Sequence, residues 1–236
     1  MIGTPKKVVI VEGLISSGKT TLTKELGHAL GENTLVLIEP DEKDNSNPYL
    51  ARYYEDPKRW AFSMQVHLLS ARYRQHQHAQ WHAMQGYGYA ILDRSFYGDT
   101  AFARLQYKMG LMTEDEYNSY AQLYHAMTAS VLHPTICLRV LVHPETAMKR
   151  ILSRMQKETG RVCETAITLD YLRDLDQEID HMVNVLRQSG VAILEVPWDE
   201  NRDTASIRKS SVEGLAARIQ NLNPPDRFLD LHRRTL

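Results

Sequence analysis

The chain has 236 residues, with 28 Lys and Arg against 29 Asp and Glu, a formal net charge of −1, and 43% hydrophobic and 24% charged residues. This is the composition of a globular protein long enough for one sizeable core. It excludes a disordered tail or a fibre, and offers no excess of either sign to draw the chain to nucleic acid or a membrane surface. Two cysteines without CxxC spacing, Cys137 and Cys163, fit a reducing compartment, and no apolar stretch approaches the roughly 18 residues that a membrane span requires.

Met1 to Lys7 run straight into the apolar Val8-Val9-Ile10-Val11, leaving no room for a leader peptide, so the expectation is a cytoplasmic protein. Similar short β-branched runs recur at Leu35–Ile38, Ala90–Leu92, Ile136–Val142 and Val191–Val196, separated by longer segments of helical spacing. Strands that alternate poorly between apolar and polar residues are buried on both faces, and βα alternation of this kind predicts an open parallel sheet flanked by helices. No Gly-, Pro- or Ser-rich linker divides the chain, so one domain is expected, with a peripheral tail over about 221–236.

Directly after the first strand stands Gly13-Leu14-Ile15-Ser16-Ser17-Gly18-Lys19-Thr20, followed by helical spacing from Thr21 to Leu30. This is G-x-x-x-x-G-K-[ST] in its strand–helix context. The glycines allow the backbone to curl so that successive N–H groups, those of Ser16, Ser17 and Thr21 among them, point at phosphate oxygens beside a helix N-terminus. Lys19 would reach the terminal phosphates and Thr20 would ligate Mg²⁺. A bound nucleoside triphosphate is therefore expected. The NKxD signature of guanine-specific switches is absent.

The second strand runs into Glu39-Pro40. Ligands of parallel sheets sit at the carboxyl ends of strands, so Glu39 is placed to take a proton from an attacking hydroxyl. Further on come Tyr54-Glu55-Asp56-Pro57-Lys58-Arg59-Trp60, then Gln65 and Arg72, the strand end Asp93-Arg94-Ser95, and Asp99. Arg150 and Arg154, four apart on one helical face, follow the fourth strand, and Arg161 comes after them. From about Lys7 to about Val196, this ordered set resembles the deoxyribonucleoside kinase family.

The resemblance implies a P-loop NTPase-type, three-layer fold with a five-stranded parallel sheet and an arginine-bearing lid over about 150–166. It implies transfer of the γ-phosphoryl group of ATP, with Mg²⁺, to the 5′-hydroxyl of a deoxyribonucleoside, and a homodimer. By motif, Glu39 resembles the family's general base, Arg94 the arginine beside the 5′-hydroxyl and the moving phosphoryl group, and Asp93 the carboxylate near the metal. Tyr54 and Glu164 resemble the pair on the 3′-hydroxyl, Gln65 the amide that reads the base edge, and Arg150, Arg154 and Arg161 the guanidinium clamp of the lid. Read from sequence alone, Arg72 and Asp99 are a surface ion pair of little worth. Family members that take deoxycytidine or deoxyguanosine keep an Arg and an Asp there, whereas thymidine-accepting members have apolar residues. The chain therefore leans to deoxycytidine and purine deoxynucleosides.

Three alternatives stay open: a thymidine kinase of the same family, a thymidylate kinase, and a nucleotide-binding regulatory subunit without turnover. His76, His78 and His82 are read as a solvated helix face rather than a zinc site, and the run Asp170, Asp174, Asp176, Glu178, Asp180 as an exposed acidic face. Trp198-Asp199-Glu200 falls where relatives place an adenine-contacting loop.

Overall fold

The computed structural model describes residues 6–39, 47–157, 167–199 and 205–222. The elements follow in chain order: β1 (Val8–Gly13), α1 (Lys19–Leu30), β2 (Leu35–Leu37), α2 (Leu50–Glu55), α3 (Pro57–Met84), β3 (Ala90–Asp93), α4 (Phe96–Lys108), α5 (Glu114–Thr128), β4 (Ile136–Leu141), α6 (Pro144–Lys157), α7 (Leu169–Gln188), β5 (Ala192–Pro197) and α8 (Ala205–Asn221). The strands form one parallel sheet in the order β2-β3-β1-β4-β5, with Val9 opposite Ile91 on one side of β1 and Ile136 on the other. The predicted class is the one observed. Strand ends differ from the expected ones by a residue or so, and β2 is only half-buried, as suits an edge strand.

Local chemistry fixes the helix starts. Gly18, at φ 88°, turns the chain into α1. Asp56 caps α3 by accepting from the Arg59 N–H, and Pro57 holds the first helical position, where no N–H is needed. Ser95 caps α4 through the Gly98 N–H, and Thr113 with Glu116 forms a capping box on α5.

The main core surrounds β1, β3 and β4, whose inner residues Val9, Ile10, Val11, Ile91, Leu92, Cys137 and Leu138 are fully buried. A second, smaller cluster of Tyr53, Ala61, Met64, Leu68 and Met112 joins α2 to the first half of α3. None of the described helices is long and apolar enough to cross a membrane.

Two sequence readings are corrected. The acidic run on α7 is not an exposed face throughout: Glu178 is buried and pairs with Lys108 and Arg104, while Asp176 and Asp180 pair with Arg139, a β4 residue only 2% exposed. The histidines of α3 do not share one solvated face either. His76 is buried, with Nε2 3.0 Å from the Leu132 carbonyl and its ring edge-on to Phe96, whereas His82 meets the Asn33 carbonyl at 2.8 Å. Among the described residues no group of three potential metal ligands occurs.

Candidate active site

Three strands of the parallel sheet deliver their following loops to one edge. After β1, the loop from Gly13 to Thr20 carries two left-handed residues, Ser16 at φ 57° and Gly18 at φ 88°. A Cβ added at Gly18 would lie 3.0 Å from the Trp198 indole nitrogen, so the turn demands glycine twice over. Left-handed residues among ordinary ones turn backbone N–H groups inward as an anion cradle. The buried Ser16 and Ser17 hydroxyls find no hydrogen-bond partner among the described residues. Lys19 is buried, with Nζ donating to the Leu14 carbonyl at 2.7 Å. Burial and then Arg94 push the Lys19 ammonium down to about 8, against the pull of Asp93, Glu39 and Glu12. A cation so short of solvent is stabilised by any anion entering the loop. Thr21 lies exposed in the first turn of α1.

After β3 come Asp93 and Arg94. Asp93 Oδ2 accepts from the Thr20 hydroxyl at 2.5 Å, while its buried Oδ1 has no hydrogen-bond partner among the described residues. Burial and then the Glu39 charge raise the Asp93 carboxyl. A hydroxyl and an underserved carboxylate side by side are oxygen donors of the kind Mg²⁺ takes. Arg94 holds φ 66°, a left-handed conformation costly for a residue with a side chain. It is 2% exposed, with Nη2 donating to the Gly13 carbonyl at 3.2 Å and the guanidinium 4.6 Å over the Phe102 ring. Its buried Nε and Nη1 complete no hydrogen bond.

Glu39, two residues past β2, meets this group. Its Oε1 lies 3.1 Å from Arg94 Nε and 2.5 Å from Arg72 Nη2. Burial pushes the Glu39 carboxyl up, but Arg94, Arg72 and Lys19 overcome it and hold it at about 2. Arg72 gives its other terminal nitrogen, Nη1, to Asp99 Oδ1, so the pair read from sequence as superficial is buried on both sides. Asp99 Oδ2 accepts from the Tyr120 hydroxyl at 2.9 Å. Burial pushes the Asp99 carboxyl up to about 6 against Arg72 and Tyr120.

Gln65, two helical turns before Arg72 on α3, is 1% exposed, and its carbonyl oxygen has no hydrogen-bond partner among the described residues. Tyr54 on α2 packs edge-on to Tyr53 at 5.4 Å, beside the smaller core cluster. Arg150 reaches the carbonyls of Ser17, Trp198 and Asp199, and so ties α6 to the phosphate loop and to the segment after β5. Arg154 lies half-buried one turn later. Arg161, Glu164 and most of the expected lid lie outside the described residues.

Two participants were missed. Glu12 is wholly buried and accepts from both the N–H (2.8 Å) and hydroxyl (2.6 Å) of Ser95, with Arg94 Nη1 3.8 Å away. A lone carboxylate ending the run Val8–Val11 was the available signal. Tyr120 gave none, standing among ordinary polar helix residues.

The sheet edge thus joins an anion-wrapping loop to a carboxylate held between two guanidiniums, which defines a P-loop phosphotransferase. The deoxynucleoside kinase profile matches residues 9–221, and the chain belongs to that family. It is 30% identical to the deoxyadenosine kinase of Dictyostelium discoideum over 220 residues, covering 92% of this chain and 83% of that one. It is 31% identical to the deoxyadenosine/deoxycytidine kinase of Bacillus subtilis (strain 168) over 222 residues, covering 92% and 95%. The fold is shared with deoxyadenosine kinase from M. mycoides solved with the products dCMP and dCDP, at a TM-score of 0.71 and 23% identity over 91% of this chain and all of that one. The chain is accordingly an enzyme that phosphorylates deoxynucleosides.

Proposed function

We propose that the chain moves the γ-phosphoryl group of ATP to the 5′-hydroxyl of deoxynucleosides whose base carries an exocyclic amine, deoxycytidine and the purines before thymidine. The observation that carries the reading is the buried Arg72–Asp99 pair, whose guanidinium also holds Glu39. Burying such a pair is costly, and it fits a base that offers a donor to Asp99 and an acceptor to Arg72. The unpartnered Gln65 carbonyl would read the same edge. The names of the relatives from D. discoideum and B. subtilis, which specify deoxyadenosine and deoxycytidine, support it.

Glu39 would accept a hydrogen bond from the 5′-hydroxyl and take its proton as the bond to phosphorus forms. A carboxylate held at about 2 is a weak base, so its part is chiefly to aim the hydroxyl. Arg94, whose Nη1 completes no hydrogen bond among the described residues, would meet the charge developing on the phosphoryl oxygens, and Lys19 the terminal phosphates. Thr20 and Asp93 would hold Mg²⁺, which when bound neutralises phosphate charge. Tyr54 with Glu164 would hold the 3′-hydroxyl, and Arg150, Arg154 and Arg161 would belong to the lid. One domain is proposed from the lack of a Gly-, Pro- or Ser-rich linker, and a homodimer on the family resemblance alone.

The test is a panel of the four deoxynucleosides and their monophosphates with ATP. Deoxycytidine, deoxyadenosine and deoxyguanosine should exceed thymidine in kcat/KM. Phosphorylation of monophosphates alone would refute the acceptor assignment.

A further inference from the structure

We propose that Tyr120 is a positioning residue for base selection: through its hydrogen bond to Asp99 it fixes how Arg72 is divided between the base and Glu39. The proposal rests on the reading that Arg72 and Asp99 select the base.

The geometry is a chain of donors and acceptors that begins in α5 and ends at the phosphoryl-transfer edge. Tyr120 is the buried residue of α5, 2% exposed. A phenylalanine would fill that space as well. The hydroxyl, costly to bury unpaired, donates to Asp99 Oδ2 at 2.9 Å. Asp99 Oδ1 takes Arg72 Nη1, so both carboxylate oxygens are engaged and the carboxylate plane is fixed. Arg72 is thereby anchored on one side and gives Nη2 to Glu39, while its buried Nε completes no hydrogen bond. Without the tyrosine hydroxyl, Asp99 can rotate about its side chain, and a protonated Asp99 no longer holds Arg72 by charge. The guanidinium then turns wholly toward Glu39. The base side loses its fixed donor and acceptor, and with them the distinction between an exocyclic amine and a carbonyl. Base recognition and the carboxylate that aims the sugar hydroxyl are thus one unit, anchored in a helix that supplies nothing else to the site among the described residues.

The charged and titratable groups facing Asp99 are Arg72 from α3, Tyr120 from α5, Arg94 from the turn after β3 and Glu39 after β2. The tyrosine hydroxyl favours the charged carboxylate. Its removal therefore raises the Asp99 carboxyl further.

The experiment measures kcat/KM for deoxycytidine and thymidine against pH in the wild type, Tyr120→Phe, Asp99→Asn and the double variant. Tyr120→Phe should move the acid limb for deoxycytidine about one pH unit upward and lower the deoxycytidine-to-thymidine ratio at pH 7 by about tenfold, with KM for ATP unchanged. In the Asp99→Asn background the same change should do nothing further. An unmoved limb and ratio, or an equal loss in both backgrounds, would overturn the role of Tyr120. A ratio that Asp99→Asn leaves unaltered would instead overturn base selection by this pair, and the proposal with it. Should Tyr120→Phe melt too low to assay, 3-fluorotyrosine at position 120 decides. Its more acidic hydroxyl is a stronger donor and should move the limb to lower pH, and an unmoved limb overturns the proposal.

Discussion

Glu39 and Arg94 are held in place by different means, and single substitutions separate them. Glu39→Gln keeps the side-chain shape but removes the charge shared by Arg72 and Arg94. With no acceptor for the hydroxyl proton, kcat should fall by about 10² or more while KM for the nucleoside changes little. Steady-state kinetics on deoxycytidine decide it, and an unchanged kcat removes Glu39 from the reaction. Arg94 depends on the carboxylate behind it. Its left-handed backbone is pinned by its N–H to the Val11 carbonyl at 3.0 Å and by Glu12 gripping the adjacent Ser95. Gly98 leaves room for that grip, since a Cβ there would stand 2.2 Å from Glu12 Oε2. Gly98→Ala, far less drastic on paper than a charge deletion, should push Glu12 off Ser95 and misplace Arg94. The expected result is a kcat lower by about 10- to 100-fold, with little change in KM for ATP. Near-wild-type kcat would mean that Glu12 does not govern the arginine.

At the scale of elements, charge joins α7 to its neighbours as much as apolar packing does. Arg139 projects from β4 at 2% exposure and gives Nη2 to Asp176 at 2.5 Å and Nε to Asp180 at 2.9 Å, with Nη1 on the Val140 carbonyl. Removing one partner of a buried charge leaves the other uncompensated. Asp176→Ala should therefore lower stability by roughly 1–3 kcal/mol, with Asp180, the more exposed partner, retaining part of the hold. Urea unfolding would show it, and a midpoint equal to the wild type's would mark the pair as ornamental. This contact also shows where sequence reading stops. Gly13–Thr20, Glu39 and Asp93–Arg94 were legible because local pattern fixes them: a strand, a glycine turn, a strand end. The α7 carboxylates were misread because a run spaced along a helix looks solvated until the strand beneath is seen to supply an arginine. Arg72 and Asp99 fell between, read from sequence as a surface pair and given a part in base selection only through a family resemblance, since their burial depends on α3 and α4 meeting α5. Tyr120 lay beyond reach because no local rule distinguishes a tyrosine whose hydroxyl is needed from one that only fills space.

For the whole molecule, the sheet order β2-β3-β1-β4-β5 sets β1 between two parallel neighbours, so the loops after β1, β2 and β3 open on the same side and the charged groups concentrate there. Away from that edge the interior also holds His76, wedged between Phe96 and Tyr97, its buried Nδ1 without a hydrogen-bond partner among the described residues. Burial pushes its imidazole down to about 4. Between about pH 6.5 and 4 the unfolded chain binds a proton at this position that the folded one refuses. The stability due to a neutral His76 is thus complete above 6.5 and drains away as pH falls. Asp99, raised to about 6, works in the opposite sense, as the folded chain binds its proton first, so the wild-type profile alone mixes the two. Comparison with His76→Phe separates them, because the Asp99 contribution is common to both proteins. Phenylalanine suits the aromatic surroundings, and the Leu132 carbonyl keeps the Gln80 amide as a donor. From pH 7.5 to 5 the wild type should lose about 2 kcal/mol more than His76→Phe in urea-unfolding free energy. Parallel profiles would mean that the folded protein admits the proton, by water reaching Nδ1 or by the ring turning out of its aromatic slot.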